Sequence, residues 1–522
     1  MRTAQGVALV SLAAGVASAR SIKPVEQLAE RDCDTCEDLP LVSADALISD
    51  ISEDALLEKS QTLEDFAYSY PDRNRLAGSE AHNDTVDFLY DTLVALDYYD
   101  VYKQPFNLSA SMGGTGDFFV NEVNQSALIM DFSPNGTVAA TVVPVDNLGC
   151  DPSDYPEEVD GAIALISRGE CEFGVKSALA GAAGALAAVI YNNVPGELQG
   201  TLGEPPGRAG IGDYVATVGI DMETGEDLVE QASEGDLEGI VDVLSYYIKA
   251  FTNNVIAQSK CGDQDDLLML GAHTDSVAAG PGINDNGSGS IGILEVAIQL
   301  AKYGVNNAVR FGWWSGEEEG LLGSTYYVSQ LTDEEIAKIR LYLNFDMIAS
   351  PNYVYGIYDG DGDAFNMSGP AGSAEAEALF EDFFAERDIP SVPMEFSGRS
   401  DYGPFIDVGV AAGGLFTGAE VEKTAAEAAD IGGEAGVAYD PCYHSACDNV
   451  TNLAMDAFVV DTEAIASAVA TYALSWESLP PPSNATAKTR KARRDLVRSA
   501  PGLSMAELGK RHGFFGGKKH AQ

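Results

Sequence analysis

The chain reads as an α/β protein: a mixed, largely parallel central sheet with helices on both faces, plus an inserted small β-rich domain. Two observations point there, and a third bears on function. After residue 252, apolar strand-like runs alternate with helical runs. Between about Asn121 and Tyr247 the texture changes to short β-type runs separated by acidic, Gly- and Pro-rich loops. The histidines are scarce. There are 5 in 522 residues, and His512 and His520 lie in a basic tail, so three remain for the folded part.

Taken in order, residues 1–19 have the layout of a secretory signal peptide: Arg2, an apolar stretch from Val7 to Val16, then Ala17-Ser18-Ala19. Residues 20–44 are polar, carry Cys33 and Cys36, and are read as a propeptide candidate. Residues 45–120 open the main domain. Apolar positions at three- and four-residue spacing (Leu56, Leu57, Phe66; Val86, Phe88, Leu89, Leu93) predict helices across 44–97. His82 lies among them and is read as a surface or helix-cap residue, and Val101 to Leu108 as a strand. The insertion spans 121–247, with strand candidates SALIM, AATVVPV, GAIALISRG and AAVIYNN, an Ala/Gly-rich helix at 177–188, and no histidine.

Residues 248–476 return to the main domain. Strands are predicted at NNVIA, LLMLGAH, AVRFGWW, LYLNFDM and AAGGLF, and helices at 288–303, 324–330, 372–387 and 456–476. Residues 477–522 are Pro-rich, then basic, and read as a disordered tail. Beyond the signal stretch, no run is expected to reach the roughly 20 apolar residues of a membrane span.

Acidic residues outnumber basic ones by 81 to 30, for a net charge of -51. Such a surface repels phosphate backbones and excludes nucleic acid as a partner. The 7 cysteines suggest local pairs, Cys33 with Cys36, Cys150 with Cys171 and Cys442 with Cys447. Cys261 is then left unpaired or paired in some other way. Acceptor sites for N-glycans agree with export: Asn83, Asn107, Asn124, Asn135, Asn366, Asn449 and Asn484. Asn286 also fits the pattern but stands beside Asp285, and is expected to be unmodified.

Chemistry concentrates in GAHTDSVAAGPGINDNG, VRFGWWSGEEEGLLGS and LYLNFDMI, followed about a hundred residues on by CYHSACD. These place His273, Asp285, Glu317, Glu318, Asp346 and His444 at or just beyond the ends of apolar runs. Alone, Asp285 reads as a turn residue and the glutamates as a solvated loop, whereas an acid after an apolar run, as Asp346 is, needs a partner or a metal. Together, His, Asp and Glu without thiolate suit zinc, with cobalt or manganese as replacements. A carboxylate has two oxygens and can bridge two ions, and an adjacent unbound carboxylate can take a proton from water.

Those residues closely resemble the co-catalytic dizinc aminopeptidase family of aminopeptidase Y and the fungal secreted leucine aminopeptidases. The resemblance covers most of residues 45–475 and rests on H-T-D-S, G-x-N-D-N-G-S-G, S-G-E-E-E-G, N-F-D-M and C-Y-H-S-A-C-D in order. It implies a zinc-exopeptidase fold with two zinc ions per chain. His273 and Asp346 would hold one ion, Glu318 and His444 the other, with Asp285 bridging. Glu317 would be the general base, Asp275 the acid that orients His273, and Tyr443 the stabiliser of the oxyanion. It also implies a non-proline cis peptide at Asp285–Asn286. GAIALISRGECEFGVK resembles a protease-associated (PA) domain, which implies a small lid with a Cys150–Cys171 disulfide.

By the same resemblance SGRSDYGPF lies near the substrate pocket. Arg399, Tyr402 and Phe405 are its candidate substrate contacts, with Phe345, Met347 and Phe416 as further apolar candidates. The resulting expectation is a secreted monomeric enzyme, with a vacuolar destination as the alternative. It would remove leucine-like or other apolar residues from the free amino end of peptides. A non-catalytic receptor of the same architecture and a carboxypeptidase for acidic carboxyl-terminal residues are the alternatives, with a glutaminyl-cyclase-like activity behind them.

Overall fold

The central sheet is built around strands Asp263–His273, Asn307–Trp314, Ile339–Phe345 and Ala412–Phe416. Asp263–His273 pairs in parallel with Asn307–Trp314 on one side and Ile339–Phe345 on the other, and Ile339–Phe345 pairs in parallel with Ala412–Phe416. The structure is a computed structural model, and it describes residues 36–481 except residues 195, 204, 205 and 209. The expected signal stretch, Cys33, Asn484 and the basic tail lie outside the described residues.

The inner stretches of these strands are mainly apolar because they are covered on both faces. Leu268, Leu270, Ala272, Val309, Phe311, Trp313, Leu341, Leu343 and Phe345 pack to one side, against helices Glu53–Tyr68, Gly289–Leu300 and Met455–Leu474. Leu267, Met269, Ala308, Trp314, Tyr342 and Ala412 pack to the other, with Tyr327, Val328 and Phe405. Met455–Leu474 is long and apolar enough to cross a membrane by length and composition. In the fold it is a core helix, 67% of its most apolar window being buried.

The insertion is continuous with this sheet. Strands Tyr99–Val120 and Glu238–Ser259 form an antiparallel ribbon, paired from Tyr99↔Ser259 to Val120↔Gly239. One end of the ribbon joins the main sheet through Val255↔Trp313. The other carries Gly136–Pro144 through Val241↔Val138, and beyond it the parallel strands Ile163–Ser167, Ala187–Tyr191 and Ala216–Ile220. The strand expected over Val101–Leu108 is therefore the first part of a 22-residue strand. The helix expected at 177–188 is Phe173–Ala182; Gly184 turns the chain in a left-handed conformation and Ala187 already begins a strand.

Two further expectations are corrected. Cys36 bonds Cys261, 225 residues away, and not Cys33. The chain around Cys36 is laid against the body, with Gly304 N–H donating to Pro40 O at 2.8 Å and Val42 N–H to Gly304 O at 3.0 Å. Part of the propeptide candidate thus belongs to the folded domain. His82 is fully buried, not at the surface. It sits in the first turn of Glu80–Ala95, which Ser79 caps. Its Nδ1 accepts from Gly78 N–H at 3.1 Å, so the proton is on Nε2, which lies 2.8 Å from Thr274 Oγ1. Burial above all pushes this imidazole down to about 4. Of the glycan acceptors, Asn107, Asn124, Asn135 and Asn366 are exposed, Asn83 and Asn449 are half-buried, and Asn286 is buried.

Candidate metal centre

Three neighbouring parallel strands end at one edge of the sheet. The register His273↔Trp314 and Gly271↔Asn344 brings His273, the turn after Trp314 and Asp346 side by side. Opposite them stands Asp285, in the turn Ile283–Ser288 that leads into helix Gly289–Leu300, and its bond to Asn286 is cis. His444 arrives on a loop closed by Cys442–Cys447.

The side chains converge in two sets that share Asp285. His273 Nε2 is 3.3 Å from Asp285 Oδ1 and 3.3 Å from Asp346 Oδ1. His444 Nε2 is 3.3 Å from Asp285 Oδ2 and 3.0 Å from Glu318 Oε2. His273 Nε2, His444 Nε2, Glu318 Oε1 and Asp346 Oδ1 are buried with no hydrogen-bond partner. Buried polar atoms left so are costly, and His273 Nε2, Asp346 Oδ1 and His444 Nε2 all lie within the two sets. Tetrahedral ligation with bonds of about 2.1 Å sets neighbouring donor atoms about 3.4 Å apart, close to the 3.0–3.3 Å seen within the sets. Imidazole and carboxylate donors suit zinc, so the residues fit two such ions, with each oxygen of Asp285 turned to a different set.

The charge balance says the same. Burial alone would lower the His273 imidazole, yet Asp346, Glu317, Asp275 and Asp285 push it well above its ordinary value. His444 is raised in the same way, burial being outweighed by Glu318 and Asp285. Burial is the first cause that holds the Glu317 and Glu318 carboxyls above their usual range. A water-poor cleft this rich in acid is a site for cations.

Around the two sets, second contacts fix orientation. Asp275 accepts from Gly316 N–H at 2.8 Å and Glu317 N–H at 3.3 Å, and lies 3.7 Å from His273 Nδ1. It thereby holds the glutamate turn beside the histidine. Glu317 Oε2 lies 3.8 Å from His273 Nε2. The Tyr443 ring stacks on His444 at 3.8 Å, and its hydroxyl accepts from Arg399 Nη2 at 3.2 Å. Arg399 also meets Glu420 at 2.7 Å and is about half exposed.

Several supports escaped the sequence reading. Ser400 Oγ donates to Asp346 Oδ2 at 2.6 Å and accepts from Asn344 Nδ2 at 2.8 Å. Asn344 Oδ1 accepts from Tyr342, whose hydroxyl accepts from Trp314 Nε1–H at 2.9 Å. Every donor in this chain points toward Asp346. Arg75 is wholly buried and grips the carbonyls of Thr274, Pro281 and Gly282, which flank the ligands. Asp448 accepts from the N–H groups of Asn284 and Asp285 at 2.8 and 3.0 Å. Ser400 stands inside SGRSDYGPF, but nothing in its identity signals the role.

Two pocket candidates are corrected. Phe405 is fully buried and stacks on Tyr342 at 3.8 Å, and Phe345 is fully buried in the main core. Both belong to the core on the two faces of the sheet. Tyr402 is also buried, its hydroxyl accepting from Gly398 N–H at 3.0 Å.

The profile of peptidase family M28 matches residues 254–469, and that of the PA domain residues 138–228. A probable leucine aminopeptidase 2 of Aspergillus oryzae is 52% identical over 454 residues, which are 87% of this chain and 91% of that one. Leucine aminopeptidase 2 of Arthroderma otae is 50% identical over 84% of this chain and 88% of its own. Among solved structures, an aminopeptidase from Aneurinibacillus sp. strain AM-1 superposes with a TM-score of 0.67 at 26% identity, covering 85% of this chain and 99% of that one. A zinc aminopeptidase from Bacillus subtilis shares the fold, with a TM-score of 0.52 at 23% identity over 85% of this chain and 100% of its own.

Proposed function

We propose that this chain, which belongs to peptidase family M28 and is an aminopeptidase, is a secreted enzyme that uses two zinc ions to release leucine-like amino-terminal residues from peptides. One observation carries the reading: His273, Asp346, Glu318 and His444 meet around the two oxygens of Asp285, with their inward atoms unsatisfied. Secretion is supported by the 1–19 stretch and by three disulfides, which persist in oxidising compartments. The preference for leucine rests on the names of the relatives.

Zinc bound by these ligands would polarise the scissile carbonyl and lower the pKa of a water molecule. The chain's own groups do the rest. Glu317 is buried beside His273, outside both candidate ligand sets, so its carboxylate takes the proton from the attacking water and hands it to the leaving amine. Arg399 can only donate, and it occupies a lone pair of the Tyr443 oxygen. The Tyr443 O–H is therefore left to donate to the oxyanion. The acidic surplus at the cleft attracts the substrate ammonium, which makes a free amino end a requirement.

The test combines zinc content with hydrolysis of a leucine chromogenic amide and its N-acetyl twin, before and after chelation. The expected result is about two zinc ions per chain, cleavage of the free-amine substrate alone, and recovery on zinc addition. Glu317→Ala should keep fold and zinc while losing on the order of 100-fold or more in kcat. Cleavage of the acetylated twin, or a Glu317→Ala variant of near-wild-type activity, overturns the reading.

A further inference from the structure

The turn that bears Glu317 and Glu318 carries a third glutamate. Glu319 is buried and turns away from both candidate metal sets. Its Oε2 accepts from Ser111 N–H at 2.8 Å, and Ser111 is buried too. Ser111 is on the PA-bearing ribbon, at the point where the pairing with Glu238–Ser259 shifts register before Gly114. The Ser111 hydroxyl donates onward to Asp131 at 2.6 Å, on a strand of the insertion.

Two further close approaches lie on either side of this bond. A methyl group placed at Gly316 would sit 3.2 Å from Leu108 of the ribbon. One placed at Gly320 would touch Gly203 at 3.8 Å and Thr201 at 4.0 Å, both on the insertion. The catalytic turn is thus held on its inner side by Asp275 and on its outer side by the ribbon, with the PA domain lying close by.

We propose that Glu319 is a positioning residue that fixes the Glu317–Glu318 turn to the PA-bearing ribbon, so that the placement of the inserted domain sets the placement of the general base. The proposal rests on the reading of Glu317 given above. It assigns the insertion a role within the catalytic site, beyond covering it. A buried N–H needs an acceptor, and Glu319 supplies it across the domain boundary. Small displacements of a base from its reacting geometry have large kinetic effects.

The experiment compares wild type, Glu319→Ala and Glu319→Gln as zinc-loaded full-length protein. Gln keeps an oxygen acceptor for Ser111 N–H. Hydrogen exchange over residues 105–120 and 315–322 is read beside kcat, KM and zinc content. Ala is expected to lower kcat on the order of ten-fold with both zinc ions retained, and to speed exchange in both segments together. Gln is expected to stay within about two-fold of wild type. Should Ala fail to fold, Gln and the wild-type protection of the Ser111 amide still decide. A Gln variant as impaired as Ala overturns the proposal, as does unprotected exchange at Ser111 or an Ala variant with unchanged kcat. The exchange readout needs no turnover, so inactivity of the wild type would reject the aminopeptidase reading without being mistaken for failure of the Glu319–Ser111 link.

Discussion

Removing the hydroxyl of Ser400 isolates one bond at one candidate metal set. Ser400 Oγ donates to Asp346 Oδ2 at 2.6 Å, which leaves Oδ1 to face His273. The bond is charge-assisted and buried, a class that contributes about 1.5–3 kcal/mol. At about 1.4 kcal/mol per factor of ten, Ser400→Ala should weaken zinc by about 10–100-fold at the His273–Asp346 set. The general effect of partners behind metal ligands spans the same range. Alanine also strands Asn344 Nδ2, which donates to Ser400 at 2.8 Å. Ser400→Thr keeps the oxygen and should recover most of the affinity. The assay is competition against a chromophoric chelator fitted to two sites, with kcat measured at saturating zinc. One site should weaken while the other stays within about three-fold. Equal loss at both sites, or no loss at either, would refute the reasoning.

Three further outcomes are expected. His82 has a folded value near 4, below the ordinary 6.5, so the unfolded chain takes the proton first as pH falls. Its contribution is therefore complete above pH 6.5 and declines toward pH 4, by about 2 kcal/mol at pH 5; the stability gap between wild type and His82→Gln in urea should narrow by that much between pH 7 and 5, and a constant gap would contradict the assignment. The Cys442–Cys447 bond spans only 5 residues and stabilises by about 2 kcal/mol through chain entropy, whereas Cys36–Cys261 spans 225 and reaches about 5 kcal/mol. The Cys442→Ser/Cys447→Ser pair should accordingly lose zinc and activity with a small fall in Tm, and the Cys36→Ser/Cys261→Ser pair should show the reverse. Tyr443→Phe should lower kcat about 100-fold with KM little changed, read by steady-state kinetics on the leucine amide.

Much of this was legible in the sequence, for physical reasons. Leu267–Ala272 is apolar at every position and Ala308–Trp314 at every position but Arg310, because both sheet faces are covered, so their runs announce themselves. The ligand motifs are legible because His, Asp and Glu at strand ends have few other uses. The ribbon past Leu108 was not legible, since Ser109–Gly116 is rich in Gly and Ser, which have little strand preference. The structure shows the reason for one of them: a side chain at Gly114 would collide with Leu244 O at 2.1 Å. Phe345 and Phe405 could not be divided between pocket and core, because both places select the same residue type. Ser400 and the partner of Cys36 depend on distant segments meeting, and no local pattern encodes that.

The run Glu317-Glu318-Glu319 shows how far residue type alone can go. Three identical side chains occupy consecutive positions between Gly316 and Gly320, both in left-handed conformations. The turn sends them apart: Glu317 lies 3.8 Å from His273, Glu318 lies 3.0 Å from His444, and Glu319 accepts from Ser111 at 2.8 Å. Sequence could assign these roles only by register, and a shift of one would exchange base, ligand and support. Single glutamine substitutions distinguish them, because Gln keeps shape and an oxygen acceptor but cannot carry the negative charge or take a proton. A base needs the proton affinity, so Glu317→Gln should keep zinc and lose turnover. A zinc ligand needs the charge, so Glu318→Gln should lose affinity at the His444 set first. An acceptor for a backbone N–H needs only the oxygen, so Glu319→Gln should keep both. Any other ordering, read from zinc titration and kcat on the same three proteins, would mean that the turn is held in a different register from the one its geometry shows.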